Sequence, residues 1–139
     1  KHGDRRFVDP LWRRVSGCVS LTLHGHDHHF EALPQFDAEG AVSSQGTASF
    51  VVGTGGAWLY EAGESKRSER TVYEKFGFLR ITLDGMRYHW RFIGVDDKVL
   101  SSGSGTCLPT GSRSYQPVGA PIEAPRQRYP ERVGDRNDR

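Results

Sequence analysis

The chain has 139 residues, of which 35% are hydrophobic and 26% charged, so it is long enough for one globular domain with a real core. Its formal charge of +2 comes from the last 30 residues, which hold six arginines and four acids; the first 109 residues hold 13 basic and 13 acidic side chains. The compact part therefore has no excess charge that would favour nucleic acid. No apolar stretch reaches the roughly 18–20 residues of a membrane helix. We expect neither nucleic acid nor a membrane as a partner.

The ends and the cysteines give little further information. The chain starts at Lys1 and no signal-peptide pattern follows, so we expect that processing or truncation removed the natural start. Cys18 and Cys107 are the two cysteines. They are compatible with one disulfide and equally with two buried thiols, and they do not indicate a compartment.

The first half of the chain predicts one short helix and two strands. Asp9-Pro10 predicts a helix start, because aspartate can cap a helix and proline suits its first turn. An apolar, β-branched stretch at 18–23 predicts a strand that leads directly into the polar residues 24–29. A second strand is predicted at 48–52, and the glycine-rich residues 53–56 follow it. Polar residues at the end of a strand are where α/β proteins usually carry chemistry.

The second half contains a strong hairpin pattern. Asp84-Gly85 separates two runs in which apolar and polar residues alternate, as in a two-residue hairpin. This pattern predicts Leu83 opposite Met86 and Ile81 opposite Tyr88, with the apolar side chains on one face. Basic side chains alternate with the aromatic ones and are expected on the solvent face, which again argues against a nucleic-acid site; they are Arg87, His89 and Arg91.

The last part of the chain changes character. Asp96-Asp97 predicts a turn before a short strand at Val99-Leu100. From residue 109 onward, prolines and arginines occur without any apolar period, so residues 109–139 are predicted to be a disordered tail. The compact part is accordingly residues 1–108.

Four of the six histidines lie within residues 24–29. In a turn after a strand, His26 and His28 could direct their imidazoles to one metal centre, with Gly25 permitting the close backbone turn. The alternative is a histidine-rich surface turn that binds nothing. Two ligands alone hold a transition metal weakly, so any further ligands must come from elsewhere.

The histidine cluster resembles a known motif. Gly25-His26-Asp27-His28, followed by Phe30-Glu31, is similar to the Gly-His-Asp-His-x-(Tyr/Phe)-Glu motif of calcineurin-like metallophosphoesterases, and most to their purple-acid-phosphatase-like branch. Three later segments resemble that branch in the same order: residues 50–57, 76–79 and 102–107. The resemblance covers roughly residues 1–108. At position 32 the branch often has an arginine that makes a surface or substrate contact, whereas this chain has Ala32.

The resemblance implies a fold and a chemistry. It implies the second half of a four-layer α/β/β/α sandwich, whereas the residues by themselves predict only a mostly-β chain with one short helix. It implies phosphate ester hydrolysis by metal-bound hydroxide at a pair of iron, zinc or manganese ions, with His26 and His28 as ligands. His24 and His29 are candidate substrate contacts, and no catalytic residue is assigned. Because this branch is commonly exported, the resemblance suggests a secreted or periplasmic protein.

The other ligand motifs of this family are missing. Asn137 is the one asparagine, so the family's Gly-Asn-His element is absent, and the Gly-Asp-x-x-Asp match at 134–138 lies at the wrong end. We therefore expect the isolated chain to be inactive and to need the N-terminal half of the domain as a partner. The alternative is a non-catalytic, β-rich module that binds metal weakly or serves as an interaction piece.

Overall fold

The computed structural model describes residues 8–61 and 67–109. This part is mostly β, with one short helix and two sheets. The predicted tail at 109–139 lies, beyond its first residue, outside the described residues. The elements are α1 (Asp9–Val15), β1 (Leu21–His24), β2 (Phe30–Phe36), β3 (Thr47–Val52), β4 (Arg70–Val72), β5 (Gly77–Asp84), β6 (Arg87–Gly94) and β7 (Val99–Thr106). In the described ranges no helix has the length and apolar character needed to cross a membrane.

The first sheet has the strand order β1-β3-β2-β4. β1 runs parallel to β3, with Leu23 beside Phe50, and β2 runs antiparallel to β3, with Phe30 beside Val52. The end of β1, the start of β2 and the end of β3 therefore meet at one edge of this sheet. β4 adds an antiparallel partner to β2 on the far side.

The second sheet is the antiparallel meander β5-β6-β7. The predicted hairpin is present, but its predicted pairing is wrong by two positions: Leu83 lies opposite Tyr88 and Ile81 opposite Trp90. Because Asp84 pairs with Arg87, the two turn residues are Gly85 and Met86. Gly85 has a φ of 55°, which suits the first central position of a type II′ turn. Side chains alternate between the two faces of a strand, so a shift of two positions leaves each side chain on its predicted face. The predicted apolar face is therefore retained.

The core lies between the two sheets. Phe30 stacks on Phe92 at a centroid distance of 4.3 Å, and the Phe50 ring meets Trp90 edge-on at 5.5 Å. Smaller side chains complete this cluster, among them Ala48. Burial and contact of these aromatic rings stabilise the packing of the two sheets.

β2 and β4 were not predicted as strands. Pro34 lies inside β2, and proline within an apolar run argues against a strand because it cannot donate to the ladder. The structure accommodates it with a shift of register between Leu33 and Phe36. Ala32 of this strand is 1% exposed and belongs to the core, so its position offers no surface or substrate contact.

The N-terminal region agrees with the prediction apart from its boundaries. The N-cap is Val8, without a side-chain cap, and Asp9 lies in the first turn instead. The helix is followed by Ser16 as C-cap, and the strand begins at Leu21 rather than at residue 18. Cys18 and Cys107 are both free thiols.

A candidate metal site at the sheet edge

The strand arrangement brings the histidine loop and the glycine-rich turn together. The loop at residues 25–29 joins β1 to β2, and residues 53–56 follow β3 at the same edge. The Gly53 amide donates to the His29 carbonyl at 3.2 Å. A Cβ added at Gly53 would overlap the carbonyl oxygen of Asp27 and lie 3.2 Å from the Cα of His28. Only glycine allows these two backbones to approach so closely.

The loop is bent at His26, which has a φ of 76°. The Asp27 amide donates to the Gly25 carbonyl at 3.0 Å across this residue. A three-residue turn with a positive φ at its centre is rare and strained for a residue with a side chain. Strain of this kind is concentrated at functional sites, and here it places an exposed imidazole at the tip of the loop.

His28 is held in one orientation by residues that follow the glycine-rich turn. Its Nδ1 lies 2.8 Å from the Trp58 carbonyl oxygen, and its ring stacks on Tyr60 with centroids 4.8 Å apart. The Tyr60 amide also donates to the His28 carbonyl at 3.0 Å. Because a carbonyl can only accept, Nδ1 carries the hydrogen, and in the neutral imidazole Nε2 keeps its lone pair. Metal-binding histidines are commonly fixed by such a hydrogen bond at the other ring nitrogen.

The residues present fit part of a metal site. His26 and His28 are the two predicted ligands, and the His28 tautomer suits metal coordination through Nε2. In residues 8–61 and 67–109, however, no three histidine, cysteine or acidic side chains are grouped so that they could hold an ion. A catalytic zinc site has at least three protein ligands, so the two candidate ligands among the described residues would not form a complete shell.

The other two histidines of the cluster have different surroundings. His24 ends β1 and is exposed, and its Nε2 lies 3.0 Å from Oγ1 of Thr22. Its role as a substrate contact stays a prediction. His29 is 6% exposed, and its Nε2 lies 3.3 Å from Oε2 of Glu31. Its ring stacks on Tyr73 at 5.1 Å. The predicted substrate contact of His29 is therefore wrong: the imidazole packs inside the protein behind the loop.

The sequence did not assign Trp58 a role. Its carbonyl orients His28, while its indole is 86% exposed beside the histidine loop. This exposure means that the indole is not packed against the described residues. In the sequence, the one indication that Trp58 contributes to the site is its position shortly after the glycine-rich turn.

Comparisons of the chain with protein-family models, with curated proteins and with solved structures gave no significant match in any of the three.

Proposed function

We propose that the chain forms the C-terminal part of a dinuclear metal-dependent phosphoesterase of the calcineurin-like type, within a four-layer α/β/β/α sandwich. The observation that supports this most is the His28 imidazole, which is fixed through Nδ1 with its Nε2 available as a ligand. The strained His26 beside it provides the second candidate ligand.

In this proposal each residue of the loop has a separate task. His26 and His28 hold the metal ions, the Trp58 carbonyl fixes the His28 tautomer, and Gly53 lets the two loops pack. The ions, when bound, would polarise the phosphoryl group and activate the attacking water. His24, at the end of β1, would contact the phosphate ester.

The remaining ligands are proposed to come from the N-terminal half of the domain. β1 pairs only with β3, so its other edge is open within the described sheet. Leu23 on this strand is 63% exposed although it lies in register with the buried Phe50. An open edge with an exposed apolar side chain is suited to further strands that would complete the sheet.

A second proposal is a non-catalytic β-rich module that binds metal weakly or serves as an interaction piece. Its support is the size of the ligand set, because two histidines alone would bind an ion without organising a nucleophile or a phosphoryl clamp.

A metal titration of the full chain tests the assigned ligands. Addition of Co²⁺ should broaden or shift the imidazole NMR signals of His26 and His28, and H26A and H28A should each weaken the effect. H89A is the matched control, because His89 is an exposed histidine on the other sheet. Loss of binding in H89A alone, or equal binding in H26A, H28A and the wild type, would reject the assignment.

Two further measurements separate the two proposals. The isolated chain should show no appreciable turnover of a chromogenic phosphate ester, and saturable metal-dependent turnover would overturn that expectation. An immunoblot of source extract should then give the mass of the natural polypeptide. A band well above 15.6 kDa supports the phosphoesterase proposal, and a band at that mass supports the non-catalytic module.

A further inference from the structure

The outer face of the second sheet carries a regular grid of polar side chains. In the first row across the three strands, Arg80 lies opposite Arg91, which lies opposite Ser102. In the next row, Thr82 lies opposite His89, which lies opposite Ser104. We call these six residues the donor grid. All six are exposed, and Arg80, Thr82, His89 and Arg91 line a shallow depression of about 270 Å³.

The donor grid has no internal counter-charge. Neither row contains a carboxylate, and within the described residues none of the six side chains makes a hydrogen bond or an ion pair. Asp84 lies on the same face in a third row, opposite Arg87 and beside the row of Thr82 and His89. Each of the six side chains can donate a hydrogen bond, and two of them carry a permanent positive charge.

The pairing of the two arginines is unfavourable without a ligand. Residues directly opposite on neighbouring antiparallel strands have Cα atoms about 4.5–5.5 Å apart, so the side chains of Arg80 and Arg91 leave the sheet side by side. Like charges in such a position destabilise a sheet. An anion that both guanidinium groups contact would remove this repulsion, and the planar guanidinium matches the oxygens of a phosphate group.

We propose that the donor grid binds the phosphate group of a small phosphorylated molecule. A phosphate monoester carries a charge of about −1.5 to −2 at neutral pH, which matches the charge of the two arginines. The Ser102 and Thr82 hydroxyls supply neutral donors at the sides of the pair. A nucleic acid fits less well, because stacking of successive bases needs several aromatic side chains. Tyr88, Trp90 and Phe92 face the core, and Phe78, which is 53% exposed two residues before Arg80, is the one phenylalanine, tyrosine or tryptophan of these three strands on the face of the grid.

This site is separate from the histidine loop. The loop belongs to the first sheet, the donor grid belongs to the outer face of the second, and the aromatic core lies between them. Phosphate binding at the grid thus needs no metal. The proposal does not depend on the proposed phosphoesterase activity, and the two can fail independently.

The test is an NMR titration of the full chain with inorganic phosphate, in the presence of EDTA and with chloride added to keep the ionic strength constant. We expect saturable shifts of the backbone amides of Arg80, Arg91 and Ser102. The double variant R80Q/R91Q should bind at least about tenfold more weakly, as expected when charge-assisted hydrogen bonds are lost. The single variant R91Q should also bind more weakly, and its matched control is R87Q, which removes the same single charge from the same face but outside the grid.

The outcomes are distinct. Retained binding in R87Q together with loss in R80Q/R91Q supports the site. If R87Q and R91Q weaken phosphate binding equally, the effect is one of general charge and the proposed site is overturned. Chemical shifts that grow linearly with phosphate, without saturation, would overturn it as well. A short single-stranded oligonucleotide that binds where inorganic phosphate does not would also overturn it in favour of a polymer surface. The unchanged spectrum of the core residues verifies that each variant is folded.

Discussion

The contact between Gly53 and the histidine loop can be tested with one methyl group. In G53A the added Cβ would overlap the Asp27 carbonyl oxygen and lie 2.7 Å from its carbon, so backbone has to move. Forced overpacking costs about 1–3 kcal/mol. Loss of the Gly53 amide bond to the His29 carbonyl adds about 0.5–1.5 kcal/mol. We therefore expect a destabilisation of roughly 1.5–4.5 kcal/mol before any effect on the unfolded chain.

The matched control is G55A, two residues further along the same turn. A Cβ at Gly55 would meet no atom within 4 Å, and its φ is not in the positive region. Replacing glycine by alanine also stabilises by about 0.4–1 kcal/mol through the unfolded chain, but this gain is common to both variants and cancels in their difference. The difference of roughly 1.5–4.5 kcal/mol should lower the melting temperature of G53A by roughly 6 °C or more relative to G55A.

Denaturant unfolding gives the free energies, and NMR of the His28 imidazole reports on the loop. G53A should shift the His28 signal because its hydrogen bond to the Trp58 carbonyl depends on the position of the loop. If the two variants unfold within about 0.5 kcal/mol of each other, the close approach of Gly53 to Asp27 is not a feature of the folded protein.

Two further predictions concern the core beneath the donor grid. A Cβ at Gly103 would lie 2.7–2.8 Å from atoms of the Trp90 ring, so G103A should destabilise by about 1–3 kcal/mol; an unfolding free energy equal to that of the wild type would contradict this packing. Burial raises the pKa of the Tyr88 phenol, and the nearby Glu69 and Cys107 raise this pKa further. The stability that the neutral phenol contributes is fully present below the unfolded pKa of about 10 and is lost as pH rises through the higher folded-state pKa. Y88F should therefore lose less stability than the wild type between pH 8 and 11, measured by denaturant unfolding, and identical losses would refute the argument.

The hairpin shows what a local pattern can predict. Alternation over residues 79–92 gave the correct faces, because side-chain direction in a strand depends only on parity. It did not give the pairing, because Asp84-Gly85 and Gly85-Met86 are both acceptable turns, and the choice between them depends on the backbone of Gly85 and on the packing of Tyr88 and Trp90.

The strands that were missed depend on partners distant in sequence. β4 has only three residues, Arg70–Val72, and depends on its pairing with β2, whose partner residues lie 38 to 42 positions earlier in the chain. β2 itself contains Pro34 and a shift of register, and both are tolerated because Phe30 and Ala32 are fixed in the core. Local propensity cannot anticipate either case, since tertiary packing overrides it.

The sequence indicated which histidines belong to the candidate site, but not the contacts that hold them. The spacing of His26 and His28 suggested a pair of imidazoles, and the pair does occupy adjacent tight turns. The hydrogen bond that fixes the His28 tautomer comes from Trp58, 30 residues later, through a backbone carbonyl that every residue has. No pattern in the sequence could reveal that acceptor, because its identity depends on where β3 ends relative to β1.

Two of the locally unfavourable places in the described structure are informative for the same reason. His26 has a strained φ on an exposed loop, and Arg80 lies directly opposite Arg91 on an exposed face. Neither arrangement contributes to the core. Glycine in place of His26, or threonine in place of one of the two arginines, would make folding more favourable locally. When packing does not offset the free-energy cost of such an arrangement, we expect the binding of a ligand to offset it. A metal ion at the imidazoles and a phosphate group at the guanidinium pair are the ligands that we propose for these two places.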